Sequence, residues 1–440
     1  MINTENKSLA INGGIPVRAK KWQDNFTVGE EEKLALSRVI DSGYLSLFEG
    51  SHTPDAPFSF KGGPEVQNLE KLWCEYYGSD YSVSVNSATS GLYMAIAALG
   101  IGFGDEVIVS PYTMTACALA PLIYGAIPVF ADVELNTGSL DPKSIEKVIS
   151  TRTKAIIVVH QFGIPANMDE IMKIANKHNI KVIEDCAQAH GAIYDGKHVG
   201  TIGDIGVFSL NVNKTIQTGE GGICTTNDED LAYRLQLVRN HGEAVVGPAG
   251  YENITNIAGF NYRLTELQAA IAVEQLKKLD IYNRERLELV HMLYEGLAKF
   301  DFLKPLCKRS HCTNNCSCIN TNDNTKATFY VFPIRFIPEI AGTDRDTFTN
   351  AWNAEGINFF QGYVKPLYYQ PLYQNKHLYK HGYPFTAPEN KHSNMDYSIG
   401  LCPNAEKLHF EQMLINEHIR LPHSKEDIND IIRAVNKIVS

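Results

Sequence analysis

The chain has 440 residues, 44% hydrophobic and 20% charged, so a sizeable core can form and about two or three domains are expected. Its formal net charge of −10 disfavours nucleic acid or an anionic membrane as partner, though a local basic pocket for phosphate stays open. No apolar run reaches the roughly 18 residues of a bilayer span, and the start, MINTENKSLAINGG, lacks a basic-then-apolar leader, so a cytoplasmic location is expected.

Residues 1–63 read as an arm and loop. GGIPVR is turn-rich, 29–42 has the pattern of one amphipathic helix, and 43–63 reads as a loop. From residue 64 short apolar strands alternate with helices. The strands are SVSVN (82–86), EVIVS (106–110), IPVFADV (127–133), AIIVVH (155–160) and KVIEDC (181–186), then DIGVFSL and GGICTT. The helices are SGLYMAIAALG (90–100), the stretch through ACALAPLIYG, and DEIMKIANKHN (169–179). Such alternation predicts an α/β fold with a mostly parallel sheet and helices on both faces. A long helical stretch, 265–297, precedes a less regular, Tyr- and Pro-rich tail containing the strand YVFPIRF (330–336). A closing helix over 424–439 has Ser424 as its expected N-cap. The expected division is an arm (1–63), a large domain (64–290) and a smaller α+β domain (291–440).

Five of the nine cysteines, Cys74, Cys117, Cys186, Cys224 and Cys402, read as small buried hydrophobes. The other four, Cys307, Cys312, Cys316 and Cys318, crowd around His311 in CKRSHCTNNCSC. Their spacing matches no common zinc pattern, so a reduced loop is expected, the alternatives being a metal or redox site or disulfides. No metal is expected in the functional site.

FSLNVNKTIQTGEGG, residues 208–222, carries the chemistry. A buried strand delivers Ser209, then Lys214, then a turn in which Gly219, Gly221 and Gly222 allow close backbone approach. Alone, this also fits a surface lysine before a turn. With a carboxylate, phosphate donors and a ring contact, it fits a lysine forming an imine with pyridoxal phosphate (PLP). The carboxylate is Asp185, at the end of a strand where open α/β sheets bind ligands. Strand alternation sends Glu184 to the opposite face. Gln188 follows three residues after Asp185 as a candidate hydrogen-bond partner for a cofactor hydroxyl, and His190 reads as structural. NSATSGL (86–92) joins a strand to a helix and offers Ser87, Thr89, Ser90 and the N–H groups of the helix start, Ala88 included, to an anion.

NSATSGL, GDEVIVSPYTM, EDCAQAHGA, FSLNVNKTIQTGEGG and NYRLTELQAA occur in the order found in the DegT/DnrJ/EryC1/StrS aminotransferases, which this chain resembles over about residues 8–440 apart from 307–325. The resemblance implies a fold-type I PLP-dependent transferase working as a homodimer. It implies transfer of an amino group from glutamate or glutamine to a keto-sugar, usually nucleotide-linked, or to a keto-cyclitol. By the same resemblance Lys214 is the Schiff-base lysine and Asp185 the partner of the pyridine nitrogen. Gln188 lies beside the cofactor hydroxyl, and Thr89, Ser90 and Ser209 match phosphate positions. Asn261 matches the asparagine given from the other subunit. Relatives that dehydrate sugars carry histidine in place of this lysine, so a dehydratase is the less favoured alternative, with a non-catalytic regulator behind it. Met114 stands where the family usually stacks an aromatic residue on the cofactor ring; Tyr112 is a second candidate for that contact. A low pKa for Lys214 is expected from its phosphate and sheet-end surroundings.

Overall fold

The computed structural model describes residues 6–50, 57–306 and 324–440; the cysteine cluster lies outside them, as do 51–56 of the expected loop. The strands before the long helix are β1 (Tyr81–Val85), β2 (Glu106–Val109), β3 (Ile127–Phe130), β4 (Thr153–Val159), β5 (Lys181–Asp185), β6 (Ile193–Tyr194), β7 (Lys197–His198), β8 (Ile205–Ser209) and β9 (Gly222–Thr226). Seven form one sheet in the order β1-β9-β8-β5-β4-β2-β3, and β6 pairs with β7 in a small hairpin. The run β8-β5-β4-β2-β3 is parallel, and β9 alone runs against its neighbours. The reversal has a local cause: twelve residues of turn join β8 directly to β9, too little for a helical crossover, so the two pair antiparallel.

Both faces of the sheet are covered. Ile157, Val207 and Cys224 pack into one apolar cluster with the helix Ala88–Ala98. Ile156, Val158 and Val182 alternate with them and join the opposite cluster with the helix Met168–His178. This explains why the strands read as continuous apolar runs. The helix Ala88–Ala98 lies tight against the sheet. A Cβ at Gly91 would stand 2.8 Å from Val207 Cγ1, and one at Gly222 would stand 2.8 Å from the Ala88 nitrogen and the Phe208 oxygen.

The helix Glu266–Leu297 runs 32 residues from the large sheet to the closing helix Lys425–Val439. Its first residue also starts a neighbour: the Glu266 carboxylate accepts from Gly63 N (3.1 Å) and Glu65 N (2.8 Å), capping the helix Pro64–Tyr77. Beyond it, β10 (Leu303–Pro305), β11 (Phe332–Phe336), β12 (Phe360–Gln361) and β13 (Met413–Asn416) form an antiparallel sheet ordered β10-β11-β13-β12. The arm is strapped to this part: buried Arg18 Nη1 meets Asp427 at 2.7 Å and Asp430 at 2.9 Å. Among the described residues no helix is long and apolar enough to cross a membrane.

Some boundaries differ from expectation for physical reasons. β3 stops at Phe130 because Asp132 turns to accept from Asn404 N and Ala405 N, at the start of the helix Pro403–Lys407. β11 starts at Phe332 rather than Tyr330, after a backbone reversal at Phe329 with φ of 48°. Ser424 is the N-cap of the closing helix as expected, and both its N–H (2.8 Å) and its hydroxyl (2.9 Å) donate to the Asp427 carboxylate.

The contact at Gly222 is testable. Gly222→Ala must push β9 away from the Ser87–Ala88 backbone, and a loss of about 1–3 kcal/mol is expected in urea unfolding. An unchanged unfolding midpoint would mean that the helix and strand are not in contact there.

Candidate active site

The β8–β9 connection sets Lys214. Leu210 N donates to Gly221 O (2.8 Å), Val212 N to Gly219 O (2.9 Å) and Lys214 N to Asn211 O (2.9 Å), with Gly219 supplying the positive φ. From the long helix, Arg286 Nη1 donates to Thr215 Oγ1 at 2.8 Å and pins the next residue. The lysine Nζ lies 4.6 Å from the centre of the Tyr330 ring. It makes no hydrogen bond or ion pair among the described residues. Burial pushes its pKa below the usual lysine value, against the opposing pull of the Asp185 charge. The direction agrees with the sequence-based expectation, but burial is the cause.

Glu184 and Asp185 leave β5 on opposite faces, as alternation requires. Asp185 faces the ligand edge: its Oδ1 accepts from Ala187 N (3.0 Å) and its Oδ2 from the Cys117 thiol (3.0 Å). Glu184 is fully buried below. It accepts from Gly200 N (2.8 Å), Ile202 N (2.7 Å), Gly203 N (2.6 Å) and His160 Nε2 (3.0 Å). Burial alone would raise its pKa; His160 and the backbone donors reverse this and hold it low. His160 Nδ1 accepts from Ala166 N, which puts the ring proton on Nε2. Cys186 completes a cluster of metal-ligand types within 4.8 Å, yet both ring nitrogens are already engaged, so the cluster is a clamp between loops.

The remaining residues spread around this centre. Ser87 caps the helix Ala88–Ala98 by accepting from Ser90 N at 3.1 Å, and Ser90 Oγ donates to Asn86 Oδ1 at 2.7 Å. Ala88 is half-buried and Thr89 exposed. Ser209 ends β8 opposite Gly222, whose partner on the other side is Val85 of β1 and which packs against the Ser87–Ala88 backbone, so Ser209 and Ser87 lie on either side of one glycine. A helix N-terminus with hydroxyls from two elements beside it favours an anion. Gln188 accepts from Phe162 N (2.7 Å) and donates to Tyr363 OH (2.9 Å), keeping one amide N–H for a ligand. Buried His190 is held neutral: burial first, then the Lys214 charge, push its pKa down to about 3. Asn261 is exposed, beside Tyr262, whose carbonyl accepts from Asn86 N at 2.8 Å.

Met114 and Tyr112 differ. Met114 is 53% exposed, whereas Tyr112 is fully buried, edge-on to Tyr363 and His409. Three groups escaped sequence reasoning. Cys117 is buried as expected, but its thiol bonds Asp185 rather than serving only as a hydrophobe. Tyr330 and Tyr363 carried no signal beyond their place in an aromatic-rich tail.

The electrostatics of Lys214 can be read directly. In cofactor-free protein its amine should react with an acylating reagent at lower pH than ordinary lysines near pKa 10.4. Asp185→Asn removes the charge that opposes the shift and should move the profile lower still. Peptide mass mapping against pH measures both, and a Lys214 profile at or above the ordinary one would contradict the burial seen here.

The sequence profile of the DegT/DnrJ/EryC1/StrS aminotransferase family matches residues 56–433. A putative L-glutamine:3-amino-2,3-dideoxy-scyllo-inosose aminotransferase of Micromonospora echinospora is 31% identical, over 98% of this chain and 97% of that relative. A dTDP-3-amino-3,6-dideoxy-alpha-D-galactopyranose transaminase of Aneurinibacillus thermoaerophilus is 42% identical, over 62% of this chain and 70% of its own length. The structure of S. venezuelae DesV in complex with a ketimine intermediate superposes with a TM-score of 0.74 at 29% identity, over 93% of this chain and 95% of that one. With a profile matched over most of its length and relatives matched end to end, the chain belongs to the DegT/DnrJ/EryC1/StrS family of PLP-dependent aminotransferases.

Proposed function

We propose that this chain binds PLP through Lys214 and moves an amino group from glutamine or glutamate to a keto-cyclitol or a nucleotide-linked keto-sugar. The observation that carries the reading is Lys214 itself: an amine with no partner among the described residues, lowered in pKa by burial and within electrostatic reach of Asp185. The activities named for the Micromonospora and Aneurinibacillus relatives support the two acceptor classes, and the first supports glutamine as donor.

When bound, PLP supplies a carbonyl that carries the amino group and an electron sink that stabilises charge on the donor carbon. The chain's own residues do the rest. Ser87, Thr89, Ser90 and Ser209, with the N–H groups around Ala88, hold the phosphate. Asp185, oriented by Cys117 and Ala187, accepts from the pyridine nitrogen. The spare N–H of Gln188 reaches the ring hydroxyl, and Met114 covers the open ring face. Lys214 Nζ, its pKa lowered by burial, takes the donor's Cα proton as general base. A lysine at this position favours amino transfer over sugar dehydration.

The same reading includes a homodimer with shared sites. The helix Glu30–Ser42 buries Ala35 and Val39 against the long helix but leaves Leu34 and Ile40 each 62% exposed. A second copy of the chain would cover such a face. Exposed Asn261 then reaches the phosphate of the partner's cofactor. The division into arm, large domain and small domain belongs to this proposal too.

Purified protein is expected to be yellow, and borohydride reduction should leave the cofactor on the Lys214 peptide; an adduct on another lysine would sink the assignment. Donor screening with keto-cyclitols and keto-sugar nucleotides then separates the acceptor classes, and Lys214→Ala should abolish transfer. Mixed chains carrying Lys214→Ala and Asn261→Ala should regain part of the activity in heterodimers, because one of two sites is intact. A fully active monomer by sedimentation would rule out shared sites.

A further inference from the structure

Tyr330 comes to Lys214 from beyond the long helix, and its ring lies under the amine, with Nζ 4.6 Å from the ring centre. Each partner is held by its own framework. The segment leading to Tyr330 is stitched to the large domain: Lys326 N donates to Ile193 O (2.7 Å), Ile193 N to Lys326 O (2.9 Å) and Thr328 N to Gly163 O (2.9 Å). Phe329 then reverses the backbone at a φ of 48°, and β11 begins two residues after Tyr330. The ring is 9% exposed and packs in the apolar cluster that holds Tyr294, Phe329 and Phe332. On the other side, the bonds across the β8–β9 connection and the Arg286–Thr215 contact fix the lysine backbone.

As general base, Nζ takes the proton of the donor's Cα. The C–H bond breaks, an N–H bond forms, the electron pair stays with the carbon, and the amine becomes an ammonium. Burial makes that form costly. The titratable groups around the pair are Asp185 and His190, at and after the end of β5, and Arg286 on the long helix. Tyr363, Arg420 and Glu417 act on the Tyr330 phenol from the small domain. Asp185 favours the ammonium, and His190 is neutral. Burial pushes the phenol up to about 12, so the ring is neutral where an amine titrates. A cation within about 6 Å of such a face is drawn to the negative side of its quadrupole. The face takes up no proton itself, so it leaves the amine free to give its own up again. We propose that the Tyr330 ring is a catalytic seat for the Lys214 amine, steadying the ammonium that forms when Nζ takes the donor's proton. The assignment rests on the aminotransferase reading and adds to it a side chain that touches the reacting nitrogen.

The test places Phe, Leu, para-fluorophenylalanine or pentafluorophenylalanine at Tyr330. Tyr330→Phe keeps the face and is the reference of the series. Fluorine keeps the ring and withdraws electrons from its face, and Tyr330→Leu removes the ring. Acylation of Lys214 against pH is measured in cofactor-free protein by peptide mass mapping. The donor half-reaction with glutamine is followed in PLP-loaded protein by the cofactor absorbance. Fluorination should move the Lys214 profile to lower pH in steps, with Tyr330→Leu about 0.5 to 1 pH unit below Tyr330→Phe. The half-reaction rate should fall in the same order, by about 3- to 10-fold from Phe to Leu. The glutamine concentration for half-maximal rate should hold across the series, because the ring touches the lysine and not the donor. Fluorinated forms with the profile of Tyr330→Phe would overturn the seat, even if Tyr330→Leu fails to fold. A profile that moves while the rates stay level would overturn its catalytic role. If the parent converts no amino acid, the aminotransferase reading falls and takes the catalytic role with it, while the cofactor-free profile still decides whether the ring holds the amine.

Discussion

A buried carboxylate holds the floor of the site. Glu184 lies under the sheet edge and accepts from three backbone N–H groups of the 200–203 turn and from His160. The two loops that follow β4 and precede β8 are thereby tied to one point on β5. Because neighbouring residues of a strand face opposite ways, fixing Glu184 below also fixes Asp185 above. A charge this deep is tolerated because its partners replace the water it lost. The clamp sets the height at which Asp185 meets a ligand, and the Cys117 thiol and Ala187 N–H set its rotation.

Around that floor the site separates its charges. Near Ser87, Ser90 and Ser209 the hydroxyls of two elements meet a helix N-terminus, and Asp185 places an acid at the end of β5. Lys214 Nζ lies over the Tyr330 ring, and Thr215 beside it is held by Arg286 of the long helix. Burial lowers the pKa of Lys214, which favours the neutral amine more than at an exposed lysine. His190, below it, stays neutral for the same reason and adds no competing charge.

Much of this was legible in the sequence. The apolar runs KVIEDC and IGVFSL predicted buried strands, and both lie buried on two faces. The opposed directions of Glu184 and Asp185 followed from a period of two. The Ser and Gly positions followed from what a strand-to-helix turn needs, and Ser87 does cap the helix it precedes. Cys117 and Tyr363 were not legible because each meets Asp185 or Gln188 across 68 or 175 residues, and no local pattern marks such a contact. The ring contact expected of Met114 or Tyr112 also turned on tertiary packing, which buries the tyrosine and exposes the methionine.

By itself, then, the sequence determined the order of strands and helices, the face each residue takes and the lysine, acid and hydroxyl residues on which the proposed chemistry rests. These depend on local periods and on turn stereochemistry, which a few neighbouring residues set. Only the tertiary structure decided that β9 sits reversed between β1 and β8, that a thiol orients Asp185, and that Lys214 lies over the Tyr330 ring. Those features arise from burial and from contacts between distant segments, and the energy that selects them exists only once the segments have packed.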